Sequence, residues 1–273
     1  MALTFAHFEG HSELLYGFSD RGEGSMHRHL EKENRKRFFQ KKGIDPHHVV
    51  AVDSVHGGEV VVVSERDAGT LVPSVDALIT NTKNLFLSAT AADCFLVYFY
   101  DPSKEVVGIA HGGWRGVLAG VVGNTINALR VHFGVLPNNL LVGMAPGIRE
   151  CHFEISSHDK NLFRRYSEYV SEKNGKVFVN LAGIITEQLR NAGVLREHVE
   201  DSGICTHCEE EKYFSSRRDK PKEIHVMIGY IGLGFVHEYR VQENSRSGLP
   251  EVAPKPWSGE HSPRECFSPK ARP

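Results

Sequence analysis

Apolar residues fall along the chain in short runs that are separated by polar, glycine-rich turns. Most runs have the length and the β-branched content of strands. Strands are predicted at residues 14–18, 49–52, 59–63, 76–80, 85–88, 95–100, 106–110, 140–144, 199–204 and 223–231. The runs at 95–100 and 106–110 are wholly apolar, which is typical of strands that are buried on both faces.

Other segments carry apolar residues at helical spacing. Helices are predicted at residues 29–42, 117–133, 157–172 and 181–191. Ser156 and Asn180 are suited to start the last two helices, and Gly134 is suited to end the second. Strands and helices are mixed rather than strictly alternating. The pattern therefore predicts an α/β or α+β domain with a mixed sheet.

Composition narrows the class of protein. The 273 residues fit one large domain, and a net charge of −2 predicts no general attraction to nucleic acid or to an anionic membrane. No apolar stretch is long enough to span a bilayer, and the N-terminus lacks the pattern of a signal peptide. Five cysteines without a disulfide-type spacing favour a reduced, cytoplasmic setting. Residues 243–273 are rich in Pro, Ser, Lys and Arg, so the end of the chain is expected to be disordered.

Two side chains with metal-binding or catalytic chemistry lie at the ends of the central strands. Cys94 precedes the run at 95–100, and His111 follows the run at 106–110, 111 − 94 = 17 positions later. If the two strands are antiparallel neighbours, the start of one lies beside the end of the other. The thiol and the imidazole are then expected to meet.

His56, in the sequence VHGG, joins Cys94 and His111 as a third candidate that lies beside glycine at the edge of a strand. Two imidazoles and a thiolate suit zinc, and three protein ligands with an open fourth position are typical of a catalytic site. Two alternatives stay open. In the first, which is as acceptable as the zinc site, Cys94 is a buried core thiol and the histidines lie in loops. In the second, which ranks below zinc, Cys94 is a nucleophile with His111 as base and Asp93 or Asp53 as the orienting acid.

The remaining candidates carry weaker patterns. Cys205 and Cys208 form a C-x-x-C, but a structural zinc site needs two further ligands. The nearest suitable pair, Cys151 and His152, lies 205 − 151 = 54 positions earlier, and this separation argues against a site.

Arginines near these motifs are candidates for binding an anion. Arg217 and Arg218 are adjacent, and Arg115 lies just after the His111 loop, at the predicted start of a helix. A salt-bridged surface loop is an equally good interpretation of the arginine pair.

The segments VHGGEV, ADCFLVYFYDP, VVGIAHGGWRG, APGIRECHFEI and ICTHCEEEKYFSSRRD occur in this order within residues 12–233. In this respect the chain resembles the YfiH-type proteins, also called the laccase-domain or multicopper polyphenol oxidase-like family. The resemblance implies a single α/β domain over residues 1–233, followed by an extension over residues 234–273. It implies a mixed β-sandwich flanked by helices, related to the cytotoxic necrotising factor deamidase fold.

The same resemblance implies one zinc ion bound by His56, Cys94 and His111. Members phosphorolyse adenosine, guanosine, inosine and methylthioadenosine and deaminate adenosine, and copper-dependent oxidation of phenols is also attributed to the family. The expected partners are therefore purine nucleosides and phosphate, and the expected cofactor is zinc, with copper as the alternative. Departures at Ser54 and Glu150, where the family has Gln and Pro, bear on substrate specificity.

The expected roles follow from nearness in sequence to the metal motifs. Asp93 is the candidate for proton transfer, and Arg115, with Arg217 or Arg218, is the candidate for holding phosphate. The rival hypotheses are a metal-free cysteine hydrolase and a zinc-binding or partner-binding module without catalysis.

Overall fold

The structure is a computed structural model that describes residues 3–27, 32–220, 222 and 224–234. The strands are β1 Leu14–Phe18, β2 Val49–Asp53, β3 Val60–Val62, β4 Leu71–Pro73, β5 Ala77–Thr80, β6 Phe86–Ala91, β7 Phe95–Asp101, β8 Val106–Gly112, β9 Leu141–Met144, β10 Glu154–Ile155, β11 Val170–Lys173, β12 Lys176–Val179, β13 Val199–Asp201 and β14 Met227–Leu233. The α-helices are α1 Lys32–Lys41, α2 Trp114–Leu118, α3 Val121–Phe133, α4 Leu181–Asn191 and α5 Ser216–Asp219.

The strands form two large mixed sheets and one small sheet. The first has the order β1-β14-β6-β2-β4, the second has the order β13-β9-β7-β8-β5-β3, and the small sheet has the order β10-β12-β11. In the first sheet, β2 runs parallel to both of its neighbours, whereas β14 runs antiparallel to both of its own. The mixed α/β architecture predicted from the sequence is confirmed.

Strand β7 shows how the sheets are layered. Phe95 and Phe99 belong to the core that lies under α3 and α4, whereas Leu96 and Tyr98 belong to the core between the two large sheets. Successive side chains of a strand point to opposite faces, so both faces of β7 are buried. A third core contains Phe38 of α1 and covers the other face of the first sheet. The layers are therefore helix, sheet, sheet and helix, which is a mixed β-sandwich flanked by helices.

The predicted hairpin at the centre of the chain is confirmed. Strands β7 and β8 pair antiparallel, with Phe95 opposite Gly112 and Leu96 opposite His111. Cys94, immediately before β7, therefore lies at the same edge of the sheet as His111.

The helix predicted at 117–133 is wrong at its start. Helix α2 begins earlier, at Trp114, and α3 begins only at Val121. Between them Gly120 has a φ of 85°, in the left-handed region that glycine adopts without steric cost. This residue ends one helix and redirects the chain into the next.

The helix predicted at 157–172 is also wrong. Residues 159–169 form 3₁₀ turns that are interrupted at Tyr166, and residues 170–173 form β11, which pairs with β12. Asn174 and Gly175 join the two strands, both with positive φ. An Asn-Gly pair is the typical two-residue turn of a β-hairpin, and it outweighed the helical spacing before it.

Other boundaries differ by a few residues. The strand predicted at 199–204 ends at Asp201, and the one predicted at 223–231 is β14. Part of the first predicted helix (residues 29–31) and the predicted disordered end (residues 243–273) lie outside the described residues. Within the described part of the chain, no helix is long and apolar enough to cross a membrane.

Candidate metal centre

The structure brings together the three side chains that the sequence proposed as metal ligands. One donor atom from each of His56, Cys94 and His111 lies within 4.8 Å of the others. The Cys94 Sγ is 3.9 Å from His56 Nε2, and the rings of His56 and His111 meet edge to face with centroids 4.9 Å apart. Two imidazole nitrogens and one sulfur at this spacing fit a single zinc ion.

A buried carboxylate, that of Asp76, holds two of these ligands in place. Its Oδ1 lies 3.1 Å from His111 Nδ1, and its two oxygens accept hydrogen bonds from the backbone N–H groups of Val55, His56 and Gly57. A metal-binding histidine commonly bonds a carboxylate through its second nitrogen, which fixes the ring and the tautomer. Asp76 does this for His111 and positions the His56 loop as well.

The His56 loop has an unusual backbone conformation. His56 has a φ of 59°, in the left-handed region that residues other than glycine seldom adopt. Its conformation is maintained by the bonds to Asp76, which comes just before β5. Backbone strain that is held by its surroundings is often found at functional sites.

Gly113 allows the three ligands to approach each other. A Cβ atom at this position would lie 2.6 Å from His56 Cδ2 and 3.1 Å from Cys94 Sγ. The first distance is far inside van der Waals contact, so any side chain here would displace the histidine. The glycine in the sequence AHGGW is thus required by the packing of the ligands.

The ligands also influence each other's protonation. Burial raises the pKa of the Cys94 thiol, but the charge of His111 and hydrogen bonds from His111 and His56 bring the pKa down to about 6. Burial lowers the pKa of His111, but the Cys94 thiolate and Asp76 raise it to about 9. Cys94 is therefore a thiolate at neutral pH, and the thiolate is the form that binds metals.

Asp93 is buried beside the ligands, with its carboxylate already engaged. Thr206 Oγ1 donates to Oδ1 at 2.7 Å, and the backbone N–H of Arg217 donates to Oδ2 at 2.8 Å. Asp93 has a φ of 88°, so a second left-handed residue lies next to the ligand set. Sequence reasoning missed Thr206, which lies 113 positions from Asp93.

The three predicted arginines have different environments. Arg217 lines the cavity beside the metal ligands, and its guanidinium donates to the backbone oxygen of Glu154 and lies 5.7 Å from the centre of the Phe153 ring. The guanidinium of Arg218 donates to the backbone oxygens of Thr206, His207 and Tyr213, so it supports the loop.

Arg115 is exposed, and its guanidinium stacks on the ring of Trp114, 4.2 Å from the centroid. Of the three predicted arginines, Arg217 alone is among the residues that line this cavity.

Two cavities flank the ligand cluster, and both are lined by His56 and Cys94. The first, of about 290 Å³, also has Asp93 and Arg217 in its wall. Its apolar wall is formed by Trp114, Ile148, Phe153 and Leu181. The second, of about 320 Å³, is more polar and includes Asp53, Ser54 and His111. A metal held by the cluster would lie between an apolar and a polar compartment.

The catalytic triad considered as an alternative needs a correction. The carboxylate that bonds His111 is that of Asp76, whereas Asp93 is bonded to Thr206 and Arg217. Sequence reasoning did not find Asp76 because its partners lie 20 and 35 positions away. The one local indication was an acidic residue inside an otherwise apolar run.

Comparison with known proteins supports the family resemblance along most of the chain. The family described as multi-copper polyphenol oxidoreductase laccase matches residues 3–234. The purine nucleoside phosphorylase YlmD of Geobacillus stearothermophilus is 30% identical over 73% of this chain and 77% of its own length. The purine nucleoside phosphorylase YfiH of Escherichia coli is 31% identical over 70% of this chain and 76% of its own length. The crystal structure of YlmD from Geobacillus stearothermophilus superposes with a TM-score of 0.78 at 27% identity, over 84% of this chain and 94% of that one.

Proposed function

The chain belongs to the multi-copper polyphenol oxidoreductase laccase family, and we propose that it is a cytoplasmic, zinc-dependent purine nucleoside phosphorylase. Its proposed substrates are adenosine, inosine, guanosine and methylthioadenosine, together with phosphate. An accompanying adenosine deaminase activity is part of the proposal. The relatives named as purine nucleoside phosphorylases, at 25–34% identity, support the class of enzyme.

The observation that carries the proposal is a three-ligand cluster that opens on an apolar cavity. Trp114 and Phe153 give that cavity aromatic walls, and His56 and Cys94 form its other side. Small-molecule sites are mostly apolar with a few well-placed polar groups, and aromatic rings stack readily on one another. A purine base suits the apolar compartment, which leaves its sugar near the ligand cluster.

Each residue near the cluster has a separate task in this proposal. His56, Cys94 and His111 would hold the zinc, and Asp76 keeps the Nδ1 proton on His111 so that the metal would replace the proton on Nε2. Zinc with an open coordination position supplies a Lewis acid and activates water at neutral pH.

Asp93 and Arg217 would act directly on the substrates. Asp93 lines the cavity, and its carboxylate is fixed by two hydrogen bonds, so it is positioned to accept or return a proton. Arg217 lines the same cavity, and its guanidinium, which donates to the backbone oxygen of Glu154, would turn to pair with phosphate.

The test is an assay of purified, zinc-loaded protein with adenosine, with and without phosphate. Adenine and ribose 1-phosphate are expected only with phosphate, whereas deamination is expected to give inosine without phosphate and inosine together with hypoxanthine when phosphate is present. Inosine, guanosine and methylthioadenosine are expected to release their bases in the same phosphate-dependent way. Release of no product from any of the four nucleosides would overturn the proposal.

The same assay separates the rival functions. Copper-loaded protein that oxidises phenols but leaves nucleosides intact would identify a polyphenol oxidase. One zinc ion at this centre without any turnover would identify a binding module. Turnover of nucleosides that survives the removal of all metal would identify metal-free catalysis by Cys94.

A further inference from the structure

A second cluster of metal-binding side chains lies on the two loops that follow β9 and β13. Cys151 and His152 come from the first loop, and Cys205 and Cys208 come from the second. The four donor atoms all lie within 4.8 Å of one another. The cluster shares no residue with the centre formed by His56, Cys94 and His111.

The distances between the donor atoms match a tetrahedral zinc site. Bonds of about 2.3 Å to sulfur and about 2.0 Å to nitrogen place two sulfurs about 3.8 Å apart and a sulfur and a nitrogen about 3.5 Å apart. The Cys151 Sγ lies 3.6 Å from Cys205 Sγ and 3.7 Å from Cys208 Sγ. The His152 Nδ1 lies 3.3 Å from the sulfurs of both Cys151 and Cys208.

The surrounding backbone also supports a metal site. The C-x-x-C segment forms a turn in which the Cys205 carbonyl accepts from the N–H groups of Cys208 and Glu209. The N–H of Arg149 donates to Cys205 Sγ at 3.4 Å, which favours the thiolate. All four cysteines in the described part of the chain are free.

We propose that Cys151, His152, Cys205 and Cys208 bind a second zinc ion, with a structural role. Four protein ligands fill a tetrahedral site and leave no position for a substrate, in contrast to the three-ligand centre. Three thiolates and one imidazole are soft ligands of the kind that zinc prefers. The ion would connect two loops that are separated by more than fifty residues in the sequence.

This second zinc would stabilise the surroundings of the first. Thr206 lies between two of the proposed ligands and donates its hydroxyl to Asp93, the residue just before Cys94. The first loop reaches the same residue, because the N–H of Ile148 donates to the Asp93 carbonyl at 2.8 Å. Fixing both loops with one ion would therefore hold Asp93 from two sides.

The number of zinc ions per chain tests the proposal. The full chain is produced with added zinc and desalted, and its metal content is measured by mass spectrometry. Wild-type protein is expected to hold two equivalents, and Cys208→Ser and His111→Ala are each expected to hold one. Glu210→Ser, on the same exposed loop, is the matched control and is expected to keep two.

Three results would overturn the proposal. The first is a Cys208→Ser protein with the zinc content of the wild type. The second is a wild-type protein whose intact mass is two hydrogen atoms below that of the reduced chain, with a disulfide bond mapped between two cysteines of this cluster. The third is a His111→Ala protein that holds no zinc, and this result decides alone if Cys208→Ser fails to fold.

Discussion

The Nδ1 of His111 lies 3.1 Å from Oδ1 of Asp76, and both side chains are almost completely buried. Burial raises the pKa of the Asp76 carboxyl, but hydrogen bonds from His111 and from backbone N–H groups outweigh burial and lower it. Asp76 is therefore a carboxylate at neutral pH. It holds a proton on Nδ1 of His111, so that a metal would take the place of the second proton, on Nε2.

Asp76→Asn is expected to weaken zinc binding at the three-ligand centre by about 10–100-fold, the usual effect of losing a residue that orients a ligand. The asparagine amide replaces one accepting oxygen with a donor, which faces the N–H donors around it. Competition with a chelator of known affinity measures the loss.

A control for this experiment is Asp101→Asn, another fully buried carboxylate, at the far end of the strand that follows Cys94. It accepts from Ser103 and Lys104 and is expected to lower the melting temperature without changing zinc affinity. Equal zinc affinities for the wild type and Asp76→Asn would contradict the role given to Asp76.

Gly113→Ala is expected to remove zinc from the three-ligand centre with little change in the fold. The added methyl group would lie 2.6 Å from His56 Cδ2, whereas the backbone φ of −70° is acceptable for alanine. The matched control is Gly123→Ala in helix α3, where a Cβ meets no atom within 4 Å. The control is expected to gain about 0.5–1 kcal/mol in stability. Metal analysis and thermal unfolding of both variants provide the test, and full zinc content in Gly113→Ala would contradict the prediction.

Cys94 is expected to react with iodoacetamide at unusually low pH when zinc is removed. Its pKa of about 6 lies below the ordinary value of about 8.5 because the positive His111 stabilises the thiolate. The rate is therefore expected to reach half its maximum near pH 6. With His111→Ala the midpoint should rise, since burial remains and the charge is lost.

Peptide mapping follows Cys94 separately from the other cysteines. Bound zinc is expected to protect Cys94 until a chelator is added. A wild-type midpoint at or above pH 8.5, or alkylation that is unaffected by zinc, would argue against the thiolate ligand.

The strands around the site could be predicted because both faces of β7 are buried. Its residues 95–100 are all apolar, and that pattern is visible in the sequence without knowledge of the fold. The helix predicted at 157–172 failed because helical spacing was weighed above the Asn174-Gly175 turn that follows it. The two-residue turn thus determines the local structure, although the longer helical spacing before it predicts a helix.

The site was predictable for residues with distinctive chemistry and not for those that support them. His56, Cys94 and His111 stand beside glycines in distinctive motifs. The roles of Asp76 and Thr206 depend on partners that are distant in the sequence. The cluster of Cys151, His152, Cys205 and Cys208 is hidden in the sequence for the same reason, because a separation of 54 positions says nothing about distance in the fold.

Arg217→Gln and Arg218→Gln are expected to affect different properties. Arg217 lines the cavity, so its loss should raise the KM for phosphate about ten-fold or more, the effect of losing a charged hydrogen bond. Arg218 bonds three backbone carbonyls, so its loss should cost about 1–3 kcal/mol of stability. Phosphate kinetics and thermal unfolding measure the two effects. Equal changes of both properties in both variants would contradict this division.

Asp93→Asn is expected to reduce kcat by about 10²–10⁴-fold while zinc content stays the same, because asparagine cannot transfer the proton. Thr206→Val provides the comparison. It removes one hydrogen bond to Asp93 but keeps the carboxylate, so it should lower the melting temperature and reduce kcat much less. The pH profile of kcat separates the two variants further. The part of the profile in which kcat changes with the ionisation of Asp93 should persist in Thr206→Val and vanish in Asp93→Asn. Nearly normal kcat in Asp93→Asn would show that the carboxylate supports the loop and takes no part in the chemistry.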